Sequence, residues 1–389
     1  MRRDYEALVG LLSGYALLSA GNGLLQTIVP LRLLYIGASG ASIGVVQSCY
    51  YVGFLIGAAF NRRLIDRVGQ HRAFVGLCGA AAVLALAYGT LDSLLALGLV
   101  RLATGFVFMG LYASIESWLA TVSRLESRGR VFSTYAAINY LFIGAGQLLL
   151  GFGDASGAHQ LIIVGALFAA AVLPVTLFEG WPVHDRTPQR ALSPQPWHPI
   201  LKAIHAATPL AIPGAVAVGM LYAGFYSMAP LVLSQLGLGT DGLSLFMALA
   251  SIGVLVMQWP IGKLSDELDR RRVIQAVACA SLGLSVLLIA YHGPAVLWPA
   301  MLIYVAITFT QYGLVVAHLN DGMPTSQRVS ISTIFLVLMS LGGMLGPPLV
   351  SLMMGVLGPS GLFASNAGAC AVLLWGATHA LRRAAIKDR

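Results

Sequence analysis

Long apolar runs broken by short polar turns set the pattern of the chain and predict its elements. Twelve runs approach or exceed the roughly 20 apolar residues that a helix needs to cross a bilayer. They cover 7–35, 41–60, 73–91, 94–119, 132–152, 160–178, 209–234, 243–262, 273–291, 296–318, 330–353 and 361–381. The runs are continuously apolar and lack the alternation of barrel strands, so helices are predicted. The first run continues from just after Met1-Arg2-Arg3 to Tyr35, which predicts an uncleaved first helix. One long polar connection, 179–207, carries Pro182, Pro188, Pro194, Pro196 and Pro199. Proline at that density suits a semi-extended linker. The expected fold is an all-α integral membrane protein: a six-helix bundle over 1–178, a linker over 179–207 and a second bundle over 208–389.

The two halves repeat each other. Asn61-Arg62-Arg63-Leu64-Ile65-Asp66-Arg67-Val68-Gly69-Gln70-His71-Arg72 returns as Gly262-Lys263-Leu264-Ser265-Asp266-Glu267-Leu268-Asp269-Arg270-Arg271-Arg272. Leu64/Leu264, Asp66/Asp266 and Arg72/Arg272 share an offset of 200. Pro30/Pro230, Gly37/Gly237, Gly53/Gly253, Tyr112/Tyr312, Arg128/Arg328 and Gly146/Gly346 keep it too. A fixed offset across many positions implies internal duplication. An even number of spans per half gives both halves the same orientation, as in transporters built from parallel repeats.

The turn pattern Gly-x-Leu-x-Asp-Arg-x-Gly-x-x-Arg resembles the cytoplasmic loop motif of the major facilitator superfamily. The copies are imperfect: Arg62 stands at the leading Gly of the first, and Asp269 at the later Gly of the second. Further stretches resemble the YcaD-like branch of that superfamily, whose members are mostly assigned as efflux-type transporters. They are Glu116-Ser117-Trp118-Leu119, Pro30-Leu31-Arg32, Tyr50-Tyr51-x-Gly53, Gly146-Gln147-Leu148 and Ala317-His318-Leu319-Asn320-Asp321. The resemblance implies two six-helix bundles, transport by alternating access and a gating role for the loop carboxylates. One departure weakens a standard drug-antiport mechanism. Gly146 is followed by Gln147, and the Gly-Pro pair falls at Gly346-Pro347.

Composition agrees with lipid as the solvent. Residues are 58% hydrophobic and only 10% charged, against roughly 25% charged in soluble domains, and mean hydropathy is +0.81. A net charge of +8 raises a nucleic-acid partner, but position decides against it. All but Arg32 and Arg101 of the 23 lysines and arginines fall at one set of ends, while the opposite turns hold Asp92, Asp154 and Asp241. That asymmetry places both termini in the cytoplasm of a bacterial inner membrane. The four cysteines sit in apolar runs and predict neither disulfides nor metal. There is no phosphate-binding glycine loop, no metal-spaced cluster and no Ser/His/Asp arrangement, so no cofactor and no enzymatic activity are expected.

The candidate residues are the polar ones inside this apolar background. Asn22 and Gln26 share a helical face below Arg32, and Tyr222 and Tyr226 hold the first two positions in the repeat. With Gln47, Arg101, Asn139, Gln147, Gln258 and Gln311 they form the predicted substrate-binding set. Arg101 lies within an apolar helix, where a charge is a functional hypothesis by default; binding an anionic group and snorkelling to the interface both remain open. Asp66, Arg67, Arg72, Asp266, Arg271, Arg272 and Asp321 are the gating candidates. Asp66 is expected to meet the start of the 330–353 helix, Asp266 the start of the 132–152 helix, and Asp321 to pair with Arg271 or Arg272. Glu116 lies 15 residues beyond Arg101, about 22 Å along a helix. It is expected to join the gate through Arg72 or Arg67, with proton coupling as the rival role. His318 is a second proton candidate.

The sequence therefore predicts a monomeric secondary transporter that exports a small amphipathic molecule by proton-coupled alternating access. Uptake or exchange of a small organic anion is the first alternative. A membrane-embedded enzyme or a non-transporting receptor is the remote one.

Overall fold

A computed structural model describes residues 2–123, 128–153, 157–177, 210–291, 294–321 and 328–387. Side chains at 2–5, 128, 294–295, 328–333 and 384–387 are outside that description, as is the proline-rich stretch 179–207. Among the described residues there are helices and no strands. The first seven are α1 Arg2–Tyr35, α2 Gly40–Val68, α3 Gln70–Thr90, α4 Leu94–Val122, α5 Arg128–Leu148, α6 Ala158–Ala170 and α7 Val172–Leu177. After them come α8 Ala211–Gln235, α9 Thr240–Glu267, α10 Arg270–Ala290, α11 Pro294–Thr308, α12 Gln311–Asp321, α13 Arg328–Leu357 and α14 Gly361–Lys387.

Two of the predicted spans are each built from two helices, α6 with α7 and α11 with α12. Eleven stretches are long and apolar enough to cross a membrane. The last of them, Ile334–Arg383, runs through the short 3₁₀ turn Gly358–Ser360 and so contains two of the twelve predicted spans. Large apolar side chains such as Val83, Leu95, Leu177, Trp259 and Val356 are exposed. In water that surface would be costly; against acyl chains it is matched.

The fold divides into two compact units. The first comprises Met1–Ser39, Cys49–Leu192 and Gly237–Ser251; the second comprises Gly40–Ser48, Ser193–Leu236 and Ile252–Arg389. In the first unit α1 packs on α5, α6 and α7, and α3 packs on α4 and α6. In the second, α8 packs on α13 and α14, and α10 packs on α14, α11 and α12. The same contacts recur at the repeat offset. The start of α2 belongs to the second unit because Gly44 lies against Pro347 and Ser48 Oγ donates to the Met344 carbonyl at 2.8 Å. The start of α9 belongs to the first, where Ser244 Oγ donates to the Gln147 carbonyl at 2.8 Å. Gly44/Ser244 and Pro347/Gln147 are themselves repeat mates.

Local chemistry explains the turns. Gly37 and Gly237 end α1 and α8 with φ of 82° and 84°, a left-handed conformation that only glycine adopts without strain. The turn before α3 uses Gly69 with φ 85°, whereas its mate Asp269 has φ −58° and caps α10 by accepting from Arg271 N at 3.0 Å. The departure from the loop pattern at Asp269 thus substitutes a side-chain cap for a glycine conformation.

Close helix approach is also duplicated. A Cβ on Gly146 would overlap the carbonyl oxygen of Ala20, and one on Gly346 would lie 2.7 Å from that of Met220. Both pairs keep the offset of 200. Overpacking of this kind costs about 1–3 kcal/mol. Gly146→Ala should therefore lower the thermal midpoint of the purified protein. Gly76→Ala, where nothing lies within 4 Å, should hold or raise it.

Candidate functional site

The first unit carries a polar and aromatic strip on α1, α4 and α5. Tyr15 OH donates to Asn139 Oδ1 at 2.7 Å, and the Tyr15 and Tyr135 rings stack with centroids 4.3 Å apart. Tyr135 is in turn the hydrogen-bonding neighbour of Glu116. Asn22 Nδ2 donates to Tyr112 OH at 3.3 Å. Glu116 is exposed although it lies within a membrane-spanning helix, whereas Tyr15 is buried. The predicted partners of Glu116, Arg72 and Arg67, are replaced by Tyr135. Glu116 is thus a carboxylate on a spanning helix with a phenol and not a cation as its neighbour.

Arg101 sits further along α4 and does not snorkel. It is 4% exposed, with its guanidinium carbon 4.9 Å from the Tyr50 ring centroid. Tyr88 hydrogen-bonds with Arg101 and lies 3.1 Å from Thr104 Oγ1, which donates to the Val100 carbonyl at 2.7 Å. Because the Thr104 proton is used, Tyr88 donates to Thr104 and accepts from Arg101. Among the described residues no carboxylate pairs with Arg101, and its Nε is buried without a partner. A charge at a helix centre costs at least about 2.5–3.5 kcal/mol, of which a cation–π contact returns about 2. Tyr50, Phe54, Phe108 and Tyr112 continue the aromatic wall, with neighbouring centroids 6.0–6.4 Å apart.

Other predicted residues have structural partners. Arg32 is 8% exposed and pairs with Asp92 at 3.0 Å, adding a bond to the Gly89 carbonyl, so it braces α1 against the end of α3. Gln147 accepts from Thr27, and Gln311 Nε2 donates to the Ile274 carbonyl at 3.2 Å; both cross-link helices. Gln47 is fully buried, with neither amide atom partnered. Gln26 and Gln258 are half-buried, and Gln258 lies against Gly313.

In the second unit the Tyr222 hydroxyl donates to the Phe309 carbonyl at 2.9 Å, within a cluster of Phe225, Tyr226, Phe309 and Tyr312. The Tyr222–Tyr312 contact, 5.9 Å between centroids, is the repeat mate of Asn22–Tyr112. Tyr15, Tyr88, Tyr112 and Tyr135 were missed as site residues. Only the offset pair Tyr112/Tyr312 carried a sequence signal.

The basic turns differ between the units. Arg270 joins three groups: Asp321 Oδ2 at 2.7 Å, Ser265 Oγ at 2.8 Å and Asp266 Oδ1 at 3.1 Å. Asp321 thus pairs with Arg270 and not with the expected Arg271 or Arg272, while Arg271 pairs with Asp269 at 2.9 Å. In the first unit Gln70, the mate of Arg270, makes a neutral hydrogen bond of 2.6 Å to Ser117. Asp66 has a loose pair with Arg62 at 3.9 Å, and both are well exposed, as are Arg67 and Arg72. Side chains at 328–333, the expected target of Asp66, are outside the described residues. His318 is half-buried in the field of Arg271, Asp321, Arg270 and Asp269.

The family model of the Major Facilitator Superfamily matches residues 11–347. The chain belongs to that superfamily. It is 29% identical over 368 residues to an uncharacterized MFS-type transporter of Yersinia pestis, covering 94% of this chain and 93% of the relative. It is 28% identical over 351 residues to the uncharacterized MFS-type transporter YcaD of Escherichia fergusonii, covering 88% of each. The crystal structure of the nucleoside transporter NupG superposes with a TM-score of 0.72 at 17% identity, covering 98% of this chain and 99% of the other. The protein is thus a multi-pass secondary transporter of that superfamily, similar to the YcaD relative, and not an enzyme.

The cap at Asp269 gives a pH prediction. Hydrogen bonds from Arg271 hold its carboxyl below the ordinary 3.8. A depressed folded value adds stability that is fully present above the ordinary pKa and is lost as pH falls through the folded value. Asp269→Ala should lower stability by about 1 kcal/mol at pH 7. In thermal unfolding across pH, the difference from wild type should vanish in strong acid.

Proposed function

We propose that this transporter exports a small amphipathic compound from the bacterial cytoplasm in exchange for protons, working by alternating access as a monomer with both termini cytoplasmic. The observation that carries the reading is Glu116. It is exposed on a spanning helix and bonded to Tyr135 beside Tyr15 and Asn139. Protonation there would remove a charge from the strip and change its preference for water, which is the coupling that alternating access needs. The aromatic strip in the first unit and the Tyr222–Tyr226 cluster in the second favour cargo with flat apolar surface and a few hydrogen-bonding groups. Asp66, Arg67 and Arg72 are the gating groups of the first loop; Asp266, Arg271, Arg272 and Asp321 serve the second, where Arg270 already holds two of the carboxylates. His318 is a secondary proton carrier.

Uptake or exchange of a small organic anion is the second reading, favoured by the unpaired Arg101. Proteoliposomes with an internal pH dye, challenged with a panel of amphipathic fluorescent compounds, separate the two. Glu116→Gln should cut pH-driven flux at least about tenfold while leaving the thermal midpoint near wild type. Undiminished flux in Glu116→Gln, or wild-type flux driven by organic anions alone, contradicts the export reading.

A further inference from the structure

Arg101 is a buried charge of the first unit whose chemistry is unfinished. The charge is 4% exposed and lacks a carboxylate partner among the described residues. Its surroundings nevertheless fix it from two sides. Tyr50 covers it within 4.9 Å, and the Tyr88–Thr104–Val100 relay anchors it with every proton donated in one direction. Nε, one of the guanidinium donors, has no acceptor. Tyr51 and Cys49 complete the electrostatic neighbourhood, and neither brings a negative charge as a neutral side chain. A guanidinium left this way is a preorganised fork without the planar anion or halide that such forks accept. Tyr51, half-buried on α2 with its ring centroid 5.2 Å from that of Tyr50, adds a second phenol to this neighbourhood.

We infer that Arg101, with Tyr50, Tyr51 and Tyr88, forms a binding site for a single monovalent anion, either a free inorganic ion or the carboxylate of a cargo molecule. The site stands independently of proton-coupled export through Glu116. The two groups are 15 residues apart on one helix, about 22 Å, so failure of either leaves the other intact.

The test uses the full chain in nanodiscs of zwitterionic lipid, so that headgroups supply no anion. Sodium chloride is titrated from low salt while the thermal midpoint is followed, with Arg101→Gln as the control for ionic strength, and sodium benzoate is titrated in the same way. In wild type, chloride or benzoate should raise the midpoint saturably by about 2 °C or more, and Arg101→Gln should abolish the response. Benzoate that stabilises and competes with chloride assigns the site to a cargo carboxylate; a response to chloride alone assigns it to a resident inorganic ion. Should Arg101→Gln fail to fold, Arg101→Lys keeps the charge without the fork. It should weaken the midpoint concentration of the titration at least about tenfold. A wild-type midpoint indifferent to both anions, an equal response in Arg101→Gln, or an unshifted titration in Arg101→Lys would overturn the inference.

Discussion

A hydrocarbon interior offers no hydrogen bond to a peptide group and no hydration to a charge, and the rest of this structure follows from that constraint. Backbone groups are satisfied within helices, and many polar side chains in the spans either bond a neighbouring helix or are exposed on the surface. Thr27 and Gln147, Tyr222 and the Phe309 carbonyl, and Arg32 and Asp92 belong to the first kind. Glu116 belongs to the second. Arg101 fits neither fully: it is buried and only partly bonded.

Duplication supplied one skeleton and sequence divergence gave it two chemistries. Pro30/Pro230, Gly37/Gly237 and Gly146/Gly346 keep helix ends and close packing alike in both units. On that frame the loop of the second unit is joined by ion pairs, with Arg270 bonding Asp266 and Asp321, while in the first Gln70 makes a neutral bond to Ser117. The polar strip diverged likewise, from Asn22–Tyr112 in one unit to Tyr222–Tyr312 in the other. Among the described residues Asp66 has only a loose pair to Arg62 at 3.9 Å, a weaker restraint than the network around Arg270.

The twelve spans and the repeat were legible because hydropathy and a fixed offset are one-dimensional signals. Partners were not, because pairing depends on which helix face meets which neighbour. Asp321 had three adjacent arginines to choose among, and rotation of α10 selected Arg270. Arg32 and Asp92 are 60 residues apart and meet only once α1 packs near the end of α3. Glu116 looked like a gate residue from its distance along α4, but its face points toward Tyr135 on α5. The tyrosines of the strip were hidden because aromatic residues in an apolar run read as ordinary core.

The central claim is that the Glu116 carboxyl takes and releases a proton from within the span. Infrared difference spectroscopy of the lipid-reconstituted protein, titrated through the working pH range, tests it most directly. The account predicts a carboxylic C=O band that appears and disappears reversibly and is missing from Glu116→Gln. A spectrum in which the variant and wild type titrate identically would contradict it.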